Sequence, residues 1–138
     1  MMGYAGDVDP SDAYVGLEAD ADAVLVDVRT SAEWSYVGLP DLAQIGKRAI
    51  FLEWQRFPDG TLNGSFLEQL REAGVGEGVP IYFLCRSGVR SVAAAKAATA
   101  AGFGPAYNVA DGFEGQVGHD GHRTVTGWKA AGLPWRQG

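Results

Sequence analysis

Val79-Pro80-Ile81-Tyr82-Phe83-Leu84 is an almost unbroken apolar run that leads into Cys85, and Cys85-Arg86-Ser87-Gly88-Val89-Arg90-Ser91 leads into Val92-Ala93-Ala94-Ala95-Lys96-Ala97-Ala98. A short apolar run of this kind predicts a strand buried on both faces, as in a parallel sheet. The alanine-rich stretch predicts a helix, because alanine loses no side-chain entropy there. Gly102 closes it. The seven residues between form a tight turn from strand to helix. Amide N–H groups at such a turn, together with the helix dipole, favour negative charge.

Working outward, the same alternation repeats. Asp9-Pro10-Ser11 starts a helix that runs to Glu18 or Ala19 and carries Ala13, Tyr14 and Leu17 inward. Ala23 to Val28 is a second buried strand, and Thr30 or Ser31 caps a short helix through Glu33 and Trp34. Arg48 to Trp54 reads as a strand, Pro58-Asp59-Gly60 as a turn, and Asn63 to Ala73 as a helix ended by Gly74. Ala106 to Val109 is a further strand, and a last short helix is expected near Gly127–Ala131. Strands alternating with helices predict one α/β domain over residues 1–138, with a central parallel sheet of about five strands and helices on both faces. Sites in such folds lie at the carboxyl ends of the strands, where Cys85 and the Asp27–Arg29 pair both fall. The polar, glycine-rich residues 115–124 are expected to be an inserted loop.

Composition bounds the partners. Seventeen acids against eleven Lys and Arg give a net charge of −6, which argues against nucleic acid and anionic membranes. No apolar stretch is long enough to span a bilayer, and no secretory signal is visible. With one cysteine, no internal disulfide can form, which fits a reducing, cytoplasmic compartment.

The loop itself carries the chemistry. Gly88 admits a backbone angle other residues resist. Arg86 and Arg90 add positive charge, and Arg90 can fork onto an oxyanion. Ser87 and Ser91 supply hydroxyls. Cys85 at the floor of this cradle would be a thiolate nucleophile. An inert buried cysteine is the alternative for a lone thiol, but the flanking Arg-Ser-Gly-x-Arg-Ser pattern favours the reactive reading. Asp27 and Arg29 either brace the loop from a neighbouring strand end or form a stabilising ion-pair cluster with Glu33; the second role is favoured. Trp34 and Tyr36 either form an aromatic wall for an acceptor or, more simply, belong to the core, and Trp54, Trp128 and Trp135 are most simply core or docking aromatics. His119 and His122 flank Asp120-Gly121, whose glycine disfavours a shared helix face, so no metal site is expected.

Cys85 to Ser91 resembles the active loop of the rhodanese, or thiosulfate sulfurtransferase, family. Leu25-Val26-Asp27-Val28-Arg29 with Glu33 resembles that family's early Asp-x-Arg signature, and Asn108-Val109 with Asp111-Gly112-Phe113 resembles its segment after the fourth strand. Trp34 to Asp41 departs from the usual family pattern. The resemblance implies a sulfurtransferase that loads Cys85 as a persulfide from thiosulfate or a similar small sulfur-bearing anion. It then passes the sulfur to a thiol or cyanide, with Arg86, Ser87, Gly88, Val89, Arg90 and Ser91 holding the substrate and no cofactor. It also implies two alternatives: a persulfide carrier for a protein donor or acceptor, and a non-catalytic interaction domain. In related phosphatases the cysteine and arginine stand one residue further apart, so the four residues between Cys85 and Arg90 disfavour phosphatase or arsenate reductase chemistry.

Overall fold

Residues 3–123 and 125–137 are described by the computed structural model. Residues 1, 2 and 138, at the ends of the expected domain, and Thr124, the last residue of the expected insertion, lie outside them.

The element order is β1 (Gly6–Val8), α1 (Pro10–Ala19), β2 (Val24–Asp27), α2 (Ser31–Tyr36), β3 (Leu39–Pro40), β4 (Ile50–Phe51), α3 (Phe66–Glu72), β5 (Glu77–Leu84), α4 (Val89–Ala100), β6 (Gly104–Val109) and β7 (Trp135–Arg136). Five strands form a parallel sheet in the order β1-β6-β5-β2-β4, which puts β5 at the centre and Cys85 at its carboxyl end. No helix among the described residues is long and apolar enough to cross a membrane.

Strand periodicity of two divides the core. Val26, Val28, Ile81 and Phe83 face Phe66 and Leu70 of α3 and Ala94, Ala95 and Ala98 of α4. Leu25, Leu84 and Val109 face Ala13 and Leu17 of α1, with Phe113 and Trp128 beside them. The alanines of α4 let that helix lie close to the sheet. Helices therefore cover both faces, as the apolar runs of β2 and β5 require.

The helix starts follow from local chemistry. Asp9 caps α1 through the Asp12 N–H at 2.7 Å, with Pro10 in the first turn. Thr30 and Glu33 form a reciprocal capping box on α2.

The structure corrects several sequence expectations. β1 is absent from the sequence reading because Gly6-Asp7-Val8 has no apolar alternation; its pairing with β6 alone creates it. β4 is only Ile50–Phe51, since it is an edge strand with one neighbour, although the Leu52 and Trp54 amides still reach Asp27 and Val28. The expected helix near Gly127–Ala131 is one turn closed by Ala131 N–H to Gly127 O at 2.9 Å. It goes no further because Gly132 turns left-handed at φ 76° and the Leu133 N–H returns to Trp128 O at 3.3 Å. Trp135 and Arg136 instead form β7, antiparallel to β3 in a separate two-stranded sheet. Trp128 is fully buried, but Trp135 and Tyr36 are exposed.

Candidate active site

β5 delivers Cys85 to the sheet's carboxyl edge, and the residue is 1% exposed. Among the described residues, two hydrogen-bonding groups reach its sulfur. The Gly88 N–H donates to Sγ at 3.1 Å, and the Ser91 hydroxyl lies 3.2 Å away. Gly88 sits at φ 104° just before α4, where a side chain would be strained. No side chain caps the first turn of α4, so its amides are left facing the loop.

The orientation of the loop peptides follows from their carbonyls. Phe113 N–H donates to Cys85 O at 2.8 Å, and Glu114 and Gly115 N–H donate to Arg86 O at 3.0 and 3.2 Å. Gln116 Nε2 donates to Ser87 O at 2.8 Å. In a trans peptide the next N–H points the opposite way. The amides of Arg86, Ser87 and Gly88 are thereby turned away from the 113–116 segment, and that of Gly88 lands on the sulfur. Gly112 permits this close approach: a Cβ there would overlap the Cys85 carbonyl and lie 2.6 Å from the Arg86 carbonyl carbon.

The arginines of the loop are paired with acids. Arg90 Nη1 and Nη2 grip the two Glu33 carboxylate oxygens at 2.7 and 2.9 Å. Burial pushes the Glu33 carboxyl up, but the Arg90 contact and the Thr30 donors outweigh it and hold the group below its ordinary value. The Glu33 contact raises Arg90 against the opposing effect of burial, and the charges of Cys85 and Asp27 add to the rise. Arg86 Nε lies 3.2 Å from Glu114, on a side chain 49% exposed. The Val89 side chain points to solvent.

Asp27 and Arg29 form a fully buried pair, Nη2 to Oδ2 at 2.7 Å. Arg29 also donates to Gly38 O at 2.8 Å, and its guanidinium lies 4.2 Å over the Phe113 ring. Because Phe113 holds the Cys85 carbonyl, the pair supports the loop through that ring. The favoured cluster of Arg29 with Glu33 is not formed. α2 begins at Ser31, so Arg29 precedes the helix, and the i,i+4 rule does not bring the two together. Arg29 turns inward to Asp27, leaving Glu33 to Arg90.

Two partners escaped the sequence reading. Ser91 donates to Asn108 Oδ1, and Asn108 Nδ2 donates to Asp7 Oδ1 at 2.9 Å. A polar residue within an otherwise apolar strand end was the available signal for Asn108; Asp7 gave none. Arg123 Nη1 donates to Gly115 O at 2.6 Å and Gln116 N–H to the Thr126 hydroxyl at 3.1 Å, so the described residues of 115–126 bond to one another. His119 and His122 lie in a tight turn closed by Gly118 N–H to His122 O at 2.8 Å. Among the described residues no cluster of three or more His, Cys, Asp or Glu side chains could hold a metal.

Comparison with known proteins places this geometry. A family model described as the STR4 middle domain matches residues 6–138. The crystal structure of Rv0390 from M. tuberculosis has a TM-score of 0.90 at 53% identity, covering 98% of this chain and 99% of that one. The solution structure of the 30 kDa polysulfide-sulfur transferase homodimer from Wolinella succinogenes has a TM-score of 0.62 at 25% identity, covering 94% of this chain and 76% of that one. The chloroplastic rhodanese-like domain-containing protein 4 of Arabidopsis thaliana is 30% identical over 124 residues, which are 89% of this chain and 24% of that longer protein. The architecture around Cys85 is that of rhodanese-like folds.

Proposed function

The chain belongs to the STR4 middle-domain family, and from that premise we propose that it is a sulfurtransferase in which Cys85 carries sulfur as a persulfide. The observation that carries the reading is the Gly88 N–H on Cys85 Sγ at the start of α4. An amide donor and an uncapped helix start favour an anion at that point. The likeness to a polysulfide-sulfur transferase supports sulfur as the transferred group.

In the proposed cycle the Cys85 thiolate attacks the outer sulfur of thiosulfate. The sulfur–sulfur bond of the donor breaks and sulfite leaves with its electron pair. The persulfide rests against the loop amides. Cyanide or a thiolate then attacks its outer sulfur, giving thiocyanate or a new persulfide, and the Cys85 thiolate returns. No external oxidant or reductant enters. The protein's contribution is positioned N–H donors around the sulfur that gains and loses charge.

Incubation with thiosulfate is expected to add the mass of one sulfur atom to the intact protein. Cyanide should remove it, and Cys85→Ser should abolish it. Folded wild-type protein that gains no mass from thiosulfate or polysulfide would sink the proposal. Cys85-dependent hydrolysis of an aryl phosphate instead would make it a phosphatase.

A protein donor or acceptor is the second reading. Val89 on the loop, and Val117 and Val125 on the segment tied to it through Gln116, are exposed apolar side chains. Val89→Ser is then expected to keep thiosulfate loading and to slow sulfur transfer to a protein thiol.

A further inference from the structure

The side chains behind Cys85 form a chain of donors and acceptors whose directions can be assigned. Asp7 Oδ1 accepts from Asn108 Nδ2 at 2.9 Å and from the Tyr4 hydroxyl at 2.8 Å. The hydrogen bond to Asp7 raises the Tyr4 phenol above its ordinary value, with burial and the carboxylate charge adding to it. A carboxylate has no proton to give, so it fixes the Asn108 amide with its NH2 group toward Asp7 and its oxygen toward Ser91. The Ser91 hydroxyl donates to that oxygen. A hydroxyl has one proton. With that proton spent on Asn108, Ser91 offers Cys85 only lone pairs. That arrangement suits a thiol S–H and opposes a sulfur anion. Ser91 and Asn108 are both buried, so solvent does not take over either role.

We infer that Asn108, oriented by Asp7, is a positioning residue that withholds the Ser91 proton from the Cys85 sulfur. Gly88 favours the sulfur anion from the loop side; Asn108 restrains it from the core side. When the thiol loses its proton to solvent, the Ser91 hydroxyl rotates onto the sulfur and the Asn108 oxygen is left short of one partner. No covalent bond changes except S–H. The charged neighbours Arg90, Glu33 and Asp27 take no part in this rotation. The inference rests on Cys85 being the reacting group of the proposed function, but not on the identity of any sulfur donor.

The test is the rate of Cys85 alkylation by iodoacetamide at neutral pH, with folding checked by circular dichroism. Asn108→Ala is expected to speed alkylation about three- to tenfold, the factor that one net hydrogen bond carries. In a Ser91→Ala background the same substitution should have no effect. Slower or unchanged alkylation in Asn108→Ala overturns the inference. So does an equal acceleration without the Ser91 hydroxyl, which would mean simple loosening. If Asn108→Ala does not fold, Asp7→Asn on the exposed edge strand serves instead. It frees the Asn108 amide to turn over and donate to Ser91, so the same acceleration and the same dependence on Ser91 are expected. An Asp7→Asn effect that persists in Ser91→Ala and fades with salt would be bare charge removal and would overturn the relay. Alkylation involves no sulfur transfer, so failure here leaves the thiosulfate mass test standing, and the converse holds.

Discussion

Arg90 holds Glu33 through both terminal nitrogens, at 2.7 and 2.9 Å, and so ties the first turn of α4 to α2. The contact joins the loop that carries Cys85 to a helix that follows a different strand. It also means that the loop's second arginine meets a protein carboxylate before it meets any ligand.

Acid should weaken this tie. The Glu33 carboxyl is held below its unfolded value near 4.5, because Arg90 and Thr30 outweigh the upward push of burial. A depressed carboxyl contributes stability that is present above the unfolded value and disappears as pH falls through the folded one. Urea midpoints measured from pH 7 down through that window are expected to fall more steeply for wild type than for Glu33→Gln. At neutral pH Glu33→Gln should cost about 1–2 kcal/mol, as for loss of a charge-assisted hydrogen bond. Parallel acid profiles in the two proteins would refute the assignment.

Gly112 offers a way to disturb the loop without touching its chemistry. It lies at φ 59°, and a Cβ there would overlap the Cys85 peptide. Gly112→Ala is expected to cost about 1–3 kcal/mol and to slow sulfur loading of an intact Cys85. Loading at the wild-type rate would show that the 112–115 backbone does not set the loop.

Two ion pairs near the site differ in burial and should differ in worth. Asp27→Ala strands a fully buried guanidinium and is expected to cost about 3–5 kcal/mol. Arg86→Ala breaks a contact on a side chain 49% exposed and should cost under about 1 kcal/mol. Urea unfolding checks both, and similar losses would contradict the burial argument.

Gln116 Nε2 ties the 115–126 segment to Ser87 O, beside the backbone bond from Gly115 N–H to Arg86 O. Gln116→Ala is expected to change stability by less than about 1 kcal/mol, because the contact is exposed. It should nonetheless make the 115–126 segment more susceptible to limited proteolysis. An unchanged cleavage pattern would show that the segment is held by its own internal bonds.

Legibility from sequence tracked how local each signal was. β2, β5 and α4 were readable because apolar runs and alanine content act within a few residues. The strand-end position of Cys85 followed from them. β1 and the β3–β7 pair were not readable, since each short piece is a strand only through a partner far along the chain. The site divides in the same way. The cysteine and the glycine turn lay in one contiguous motif and the Asp27–Arg29 pair in another, although the position of that pair beside Phe113 did not follow from its motif. The Glu33–Arg90 contact spans 57 positions and Asn108–Asp7 spans 101, so the fold alone brings them together. Helix-spacing rules misassigned Glu33 because Arg29 stands before the helix begins.

The depth of Cys85 bears on how the protein meets oxidising conditions. A disulfide needs two sulfurs about 2.05 Å apart, and two copies whose cysteines are each 1% exposed cannot bring both sulfurs that close while both loops keep this form. Peroxide, far smaller than a second protein chain, would act on each chain separately and drive it up the sulfenic and sulfinic ladder. Ageing in air should therefore yield singly oxidised chains rather than cross-linked pairs.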